Sequence, residues 1–268
     1  MKPFTLFRRT ILCVFFFLCF SRAVAQDAKY YFDKGKEAYE KKQYDLTITY
    51  CASAISLDPF YTAAYNYRGI AYYINKEYDL AIQDYSKAIS LAPDYAYQYR
   101  NRGLAYQEKG KYDMATQDYS MAIKLDQNYT DAYFDRGRAY YSKKEYDMAI
   151  QDYSKAISLA PDFAYQYLNR GIVYYDKKDD DLAIKDYNKA ISLDPKYSIA
   201  YYDRGLVYYY KKEYDLAIQD FNKVISLEPD YTSAYNYRGL VYYARKEYDL
   251  AIQDYNKAIS LAQNYAYQ

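Results

Sequence analysis

Tyr133-Phe134-Asp135-Arg136-Gly137-Arg138-Ala139-Tyr140 lies near the middle of the chain. Counting 34 residues either way from Gly137 reaches a glycine every time, at Gly35, Gly69, Gly103, Gly171, Gly205 and Gly239. One unit is therefore written seven times. A fixed period of a few tens of residues marks a solenoid, whose units bury their apolar faces against their neighbours and not around a common centre.

With Ala28 as the first position, the repeats occupy 28–61, 62–95, 96–129, 130–163, 164–197, 198–231 and 232–265, and 266–268 open an eighth. In the second repeat Tyr65, Gly69 and Tyr72 fall at i, i+4 and i+7, and Ala81, Tyr85 and Ala88 repeat that spacing, so each unit reads as two amphipathic helices. Asp79 is placed to cap the second helix by accepting from its free N–H groups, and Asp45, Asp113, Asp147, Asp181, Asp215 and Asp249 repeat it. Pro93 ends that helix, because proline lacks an N–H and keeps the residue before it out of the helical region. Pro59, Pro161, Pro195 and Pro229 act likewise, with Gln127 and Gln263 in the two remaining slots. The seven glycines are structural: they mark where the paired helices approach most closely. The predicted fold class is an all-α solenoid of antiparallel helix pairs.

Tyr65, Gly69, Tyr72, Ala81, Tyr85, Ala88 and Pro93 stand at the spacing of the tetratricopeptide repeat, which the array resembles from residue 28 almost to its end. Tyrosine holds the family's tryptophan position, and Arg68, Arg102, Arg136, Arg170, Arg204 and Arg238 replace its leucine. These arginines are expected to reach the acidic Asp84, Asp118, Asp152, Asp186 or Asp220 of second helices, a structural role that would recur in every unit as the residues do. The resemblance implies a right-handed superhelix whose first helices line a concave wall, and a wall that holds an extended peptide or a partner's helix. It implies no catalytic centre. The family's carboxylate clamp is missing: Phe32 and Lys36, then Tyr67, then Tyr97 and Asn101, occupy its places.

The candidate groove is the stripe one step along from the buried seam: Tyr73, Arg100, Asn101, Phe134, Arg138, Tyr141, Leu168, Asn169, Tyr175, Tyr202, Tyr209 and Tyr243. Aromatic rings with occasional Asn and Arg suit an interface core, since rings lose little rotamer freedom on binding. The plainer alternative for each ring is that it pads a neighbouring helix.

Composition narrows the chemistry. There are 45 tyrosines but no histidine or tryptophan, which removes the commonest general base and metal ligand. No glycine-rich phosphate loop, nucleophile motif or catalytic carboxylate pair rises above the repeat background, so neither enzyme activity nor a cofactor is expected. Asp179-Asp180-Asp181 reads as a solvated helix start, not a cation site, and no metal is expected. Asn128-Tyr129-Thr130 matches a glycosylation acceptor on a turn, a triplet that chance supplies easily.

Residues 1–25 carry Lys2, Arg8 and Arg9, an apolar run from Ile11 to Phe20, and Ala23-Val24-Ala25, the pattern of a cleaved secretory signal peptide. The alternative is an uncleaved anchor, for which the run is short. Cleavage before Gln26 would place the array in the periplasm or outside the cell. It would also lower the basic residues from 36 to 32 against 35 acidic ones, leaving Cys51 as the lone cysteine and a surface that does not favour nucleic acid. Cys51 fills a slot that is aromatic in every other repeat and reads as a small buried hydrophobe. The expected function is a scaffold for protein or peptide partners. An accessory subunit of an envelope, secretion or signalling complex and a helical-repeat RNA reader are the alternatives. An edge formed by Ala251, Tyr255 and Ala258 is expected to lack cover and to offer a surface for self-association.

Overall fold

The computed structural model describes residues 26–266. The segment read as a signal peptide, with Cys13 and Cys19, lies outside the described residues, as do Tyr267 and Gln268. Among the described residues the regular elements are all helices. In order they are α1 (26–40), α2 (Tyr44–Leu57), α3 (Thr62–Ile74), α4 (Tyr78–Leu91), α5 (Ala96–Glu108), α6 (Tyr112–Leu125), α7 (Thr130–Ser142), α8 (Tyr146–Leu159), α9 (Ala164–Asp176), α10 (Asp180–Leu193), α11 (Ser198–Tyr210), α12 (Tyr214–Leu227), α13 (Thr232–Ala244) and α14 (Tyr248–Ala266). The chain divides inside α7 into two compact units, one ending at Asp135 and one beginning at Arg136. Within each unit a first helix packs on its own second helix, and that second helix packs on the next first helix, which is the solenoid arrangement.

Size complementarity closes each hairpin. Tyr85, Tyr119, Tyr153, Tyr187 and Phe221 are the largest fully buried side chains, and each lies against the glycine of its own first helix. A Cβ built on Gly69 would meet Tyr85 Cε1 at 2.8 Å, too near for any side chain. Burying each such ring stabilises the hairpin by about 2 kcal/mol. In the first repeat Cys51 takes the ring's place over Gly35, fully buried, and burial pushes its thiol up to about 12, so it serves as packing. At the family's tryptophan position, Tyr65 and Tyr235 are buried and their hydroxyls donate back to the carbonyls of Pro59 and Pro229 at 3.3 and 3.1 Å.

The second helices start two residues earlier than capping by aspartate requires. Glu77, not Asp79, is the N-cap of α4, and no side chain caps it. Asp79 is the second helical residue, where its charge suits the positive end of the helix, and it pairs with Lys109 at the next repeat's turn. Asp181 does the same with Lys211 at 2.8 Å. The turn that precedes each second helix holds one residue in the left-handed region, lysine at 42, 76, 144, 178, 212 and 246 and glycine only at Gly110. There the N–H of Glu77 donates to Tyr72 O at 2.8 Å and that of Lys76 to Tyr73 O at 3.0 Å, which satisfies the last carbonyls of α3.

The last hairpin departs from the expected edge. Ala251 and Ala258 are buried inside it against α13, so they form no uncovered face. The exposed apolar residues of that face are instead Tyr248, Ile252 and Ile259, because the bare face of a second helix is the one a following first helix would cover. Gln263 stands where five of the other six repeats have proline, and α14 runs on for 19 residues through the place where an eighth repeat would begin.

Every first helix from α3 onward is tied to its partner by an arginine. Arg68–Asp84, Arg102–Asp118, Arg136–Asp152, Arg170–Asp186, Arg204–Asp220 and Arg238–Asp254 are bidentate, with bonds of 2.6–2.8 Å. Two tyrosines flank the guanidinium of Arg68, Arg102, Arg170, Arg204 and Arg238; for Arg170 they are Tyr167 and Tyr174, with ring centres 5.9 and 5.8 Å away. Arg102 and Arg170 also donate to Ser86 and Ser154 of the preceding repeat at 3.0 and 2.9 Å. These forks fix the rotation of each first helix, and with it the stripe that faces away from the seam.

Gln98 and Gln166 break the rule. Both are wholly buried where the second, fourth, sixth and seventh repeats have alanine, and both atoms of the Gln98 amide lack a hydrogen-bond partner among the described residues. Replacing Gln98 by methionine, of similar volume, is expected to raise stability by about 1–2 kcal/mol, read as a higher melting temperature. A lower one would mean that the amide is bonded in solution.

Candidate functional site

The forks turn positions five and six of each first helix away from the seam, and consecutive repeats meet there. Position five of one helix partners position six of the next. Phe32 packs on Tyr67 with ring centres 5.4 Å apart, Asn101 donates to Asn66 at 3.3 Å, and Tyr202 packs on Tyr237 at 5.8 Å. Arg100 Nε donates to Asp135 at 2.7 Å, and its other arm lies 3.4 Å from Asp131. Burial works against the Arg100 charge, but Asp135 and Asp131 hold the guanidinium above its ordinary range. Arg100 and Asn101, read from the sequence as groove residues, are thus occupied by their neighbours.

A second line of contacts runs one turn further along. Tyr141 donates to Asp176 at 2.8 Å, and burial together with that bond pushes its phenol up to about 12. Tyr175 lies 6.4 Å from Tyr210, and the ammonium of Lys178 sits 5.3 Å from the Tyr175 ring centre. In the second unit the two lines merge into one run of rings. Tyr175, Tyr210, Tyr209, Tyr237, Tyr202 and Tyr231 follow one another with centre separations of 6.4, 5.1, 6.1, 5.8 and 5.2 Å. Most are only partly buried. This run is the longest chain of rings described within either unit, and its hydroxyls leave it amphipathic.

The other sequence-predicted residues fall unevenly around it. Leu168 is 4% exposed and belongs to the core formed by Ile157, Tyr167, Ala183 and Tyr187, so it is not available to a ligand. Asn169 donates to the Tyr165 carbonyl at 2.7 Å. Tyr73 and Tyr243 pack at an interplanar angle of 60° on Tyr78 and Tyr248 of their own hairpins, and Tyr243 is 60% exposed. Phe134 is partly buried and Arg138 exposed. Tyr210 and Tyr231 were missed by sequence reasoning, although position 13 is tyrosine only at Tyr210, which is a departure from the repeat that a comparison of units exposes.

One carboxylate stands in this surface. Asp203 of α11 is partly buried, forms no hydrogen bond or ion pair among the described residues, and burial pushes it up to about 7. Asp181 of the triple-aspartate turn, by contrast, is bound to Lys211, at the side of an open cleft of about 260 Å³. Among the described residues no group of three or more His, Cys, Asp or Glu side chains is arranged to hold a metal ion.

The tetratricopeptide repeat model matches residues 62–95, 96–129, 198–231 and 232–265, and a related model described as TPR repeat matches 137–178 and 173–211. No curated protein matches the chain. Among solved structures, the crystal structure of MamA is 30% identical, covering 62% of this chain and 97% of its own, with a TM-score of 0.59. A tetratricopeptide repeat protein from Parabacteroides merdae is 22% identical over 88% of this chain and 93% of its own, with a TM-score of 0.70. YrrB, described as a TPR protein with an unusual peptide-binding site, is 22% identical over 66% and 91%, with a TM-score of 0.56. The last two likenesses concern the fold alone.

Proposed function

The chain belongs to the tetratricopeptide repeat family, a family of protein-interaction scaffolds, and from that premise we propose that it binds an extended peptide segment along the first-helix face of its second unit. The observation that carries this reading is the unbroken run of rings from Tyr175 to Tyr231, all but Tyr210 partly buried. A row of rings with hydroxyls at their edges offers apolar contact and hydrogen bonds together, with little rotamer freedom left to lose. YrrB's peptide-binding site supports the reading by analogy of fold. The scaffold is non-enzymatic, since its recurring charged groups are used in pairing helices. The basic and apolar first 25 residues support an exported location, periplasmic or extracellular.

The test uses a random dodecapeptide library displayed on phage and selected on the purified chain. The double variant Tyr175→Ala with Tyr209→Ala is expected to weaken the selected peptides by about 30-fold or more, the size of an interface anchor. Lys155→Ala, on the exposed face of α8, is expected to leave affinity unchanged. Equal affinities for the double variant and the parent, with helix content intact, would reject the face.

A second reading has its own observation. Tyr248, Ile252 and Ile259 leave one side of α14 apolar and exposed, which favours docking of the last hairpin on a second copy or on a larger assembly.

A further inference from the structure

The contacts between position five of one first helix and position six of the next form a ladder, and five of its rungs lie within single units. Four are matched in chemistry: ring on ring at Phe32 and Tyr67, amide on amide at Asn66 and Asn101, cation on anion at Arg100 and Asp135, ring on ring at Tyr202 and Tyr237. By the same register the fifth rung is Leu168 and Asp203, and it is mismatched. Leu168 is drawn into the core beside Tyr167 and Tyr187, so nothing from α9 answers the carboxylate.

What surrounds Asp203 instead is aromatic. The phenols of Tyr187 on α10, of Tyr197 and Tyr231 in the turns before α11 and α13, and of its chain neighbour Tyr202 all feel its charge. A carboxylate withdrawn from water without a counter-charge destabilises the fold. The fold does not require it, for the same position carries asparagine at Asn101 and Asn169, each hydrogen-bonded to a neighbour. Two rungs earlier, a guanidinium completes this same position.

We propose that Asp203 is the charge-selecting subsite of the peptide face, receiving a guanidinium, and less tightly an ammonium, from a basic residue of the bound segment, in the place that Arg100 fills for Asp135. The tyrosine rings beside it add cation–π attraction and exclude water, and a guanidinium suits them better than the more strongly hydrated ammonium. The inference rests on the peptide-binding reading above and supplies what that reading lacks, a chemical preference in the ligand.

The experiment repeats the phage selection on the parent chain, on Asp203→Asn and on Leu168→Arg. The first variant keeps the shape and removes the charge; the second supplies the missing guanidinium from within the chain. Peptides selected on the parent are expected to carry arginine, and less often lysine, at one fixed position. That enrichment is expected to vanish on both variants. Synthetic copies of a selected peptide with that arginine replaced by citrulline should bind the parent about 30-fold or more weakly, as for one truncated partner of a buried charge pair. The same copies should bind Asp203→Asn no more weakly than the arginine peptide does. Should Leu168→Arg fail to fold, Asp203→Asn and the citrulline comparison decide alone. Peptides that bind through the Tyr175–Tyr209 face with no basic preference, or with one that survives Asp203→Asn, would overturn this inference and leave the face standing. Selection of no peptide, or of peptides indifferent to the tyrosine double variant, would overturn both.

Discussion

Replacing Asp186 by alanine is expected to lower the unfolding free energy by about 3 kcal/mol, in the range for breaking a buried ion pair by removing one partner. The Asp186 side chain is 5% exposed and holds both arms of the Arg170 fork at 2.7 and 2.8 Å. Removing it strands a guanidinium between Tyr167 and Tyr174 with only Ser154 to receive a bond. The double change Arg170→Met with Asp186→Leu should recover most of the loss, because replacing a whole buried pair by apolar side chains is near neutral. Since a solenoid can melt locally, urea denaturation should be read together with amide exchange. Protection is expected to fall in α9 and α10 and to persist in α3 and α4. A uniform loss, or none, would show that the fork does not hold the hairpin.

Gly171→Val is the second large effect. The first added carbon would lie 2.7 Å from Tyr187 Cε1 and 2.9 Å from Cδ1, and that ring is fully buried with no free direction in which to turn. Either the ring leaves its slot or the helices separate, and the expected loss is about 3 kcal/mol, at the upper end for overpacking. Valine also disfavours the helix slightly, by a few tenths of a kcal/mol, which is too little to account for that figure. Shrinking the opposing residue discriminates between the two causes: Tyr187→Leu should destabilise the parent but relieve the Gly171→Val chain in part. Melting temperatures of the four chains measure the coupling, and strictly additive shifts would refute direct contact.

The hairpin was legible in the sequence because its determinants recur with the period. A glycine and a ring sixteen residues apart in the six repeats after the first announce a close approach, and the arginine and aspartate at the same spacing announce a fork. Local geometry was less legible. Asp79 resembles a cap, yet whether a side chain caps or sits within the first turn depends on a shift of two residues in helix start, which composition does not fix. The face of the last hairpin was misjudged for a related reason: Ala251 and Ala258 belong to the seam inside the pair, whereas Ile252 and Ile259 belong to the side presented outward. The candidate surface was legible as a stripe but not as a set of contacts. Its rungs join residues 35 apart, so Arg100 reads as a free cation and Leu168 as a surface residue until neighbouring repeats are set side by side. Asp203 is inconspicuous in a chain with 35 acidic residues; it stands out only when its missing partner is sought.

Each arginine fork begins and ends inside one repeat, as Arg68 and Asp84 do within 62–95. A copy of the unit gained or lost by duplication or recombination in the gene carries its cation and its anion together. The array can therefore lengthen or shorten by whole repeats without leaving a bare charge in its interior. The rungs of the binding face belong to two repeats at once, so every such event rewrites one junction there. Ligand preference is then free to diverge while the architecture is inherited intact.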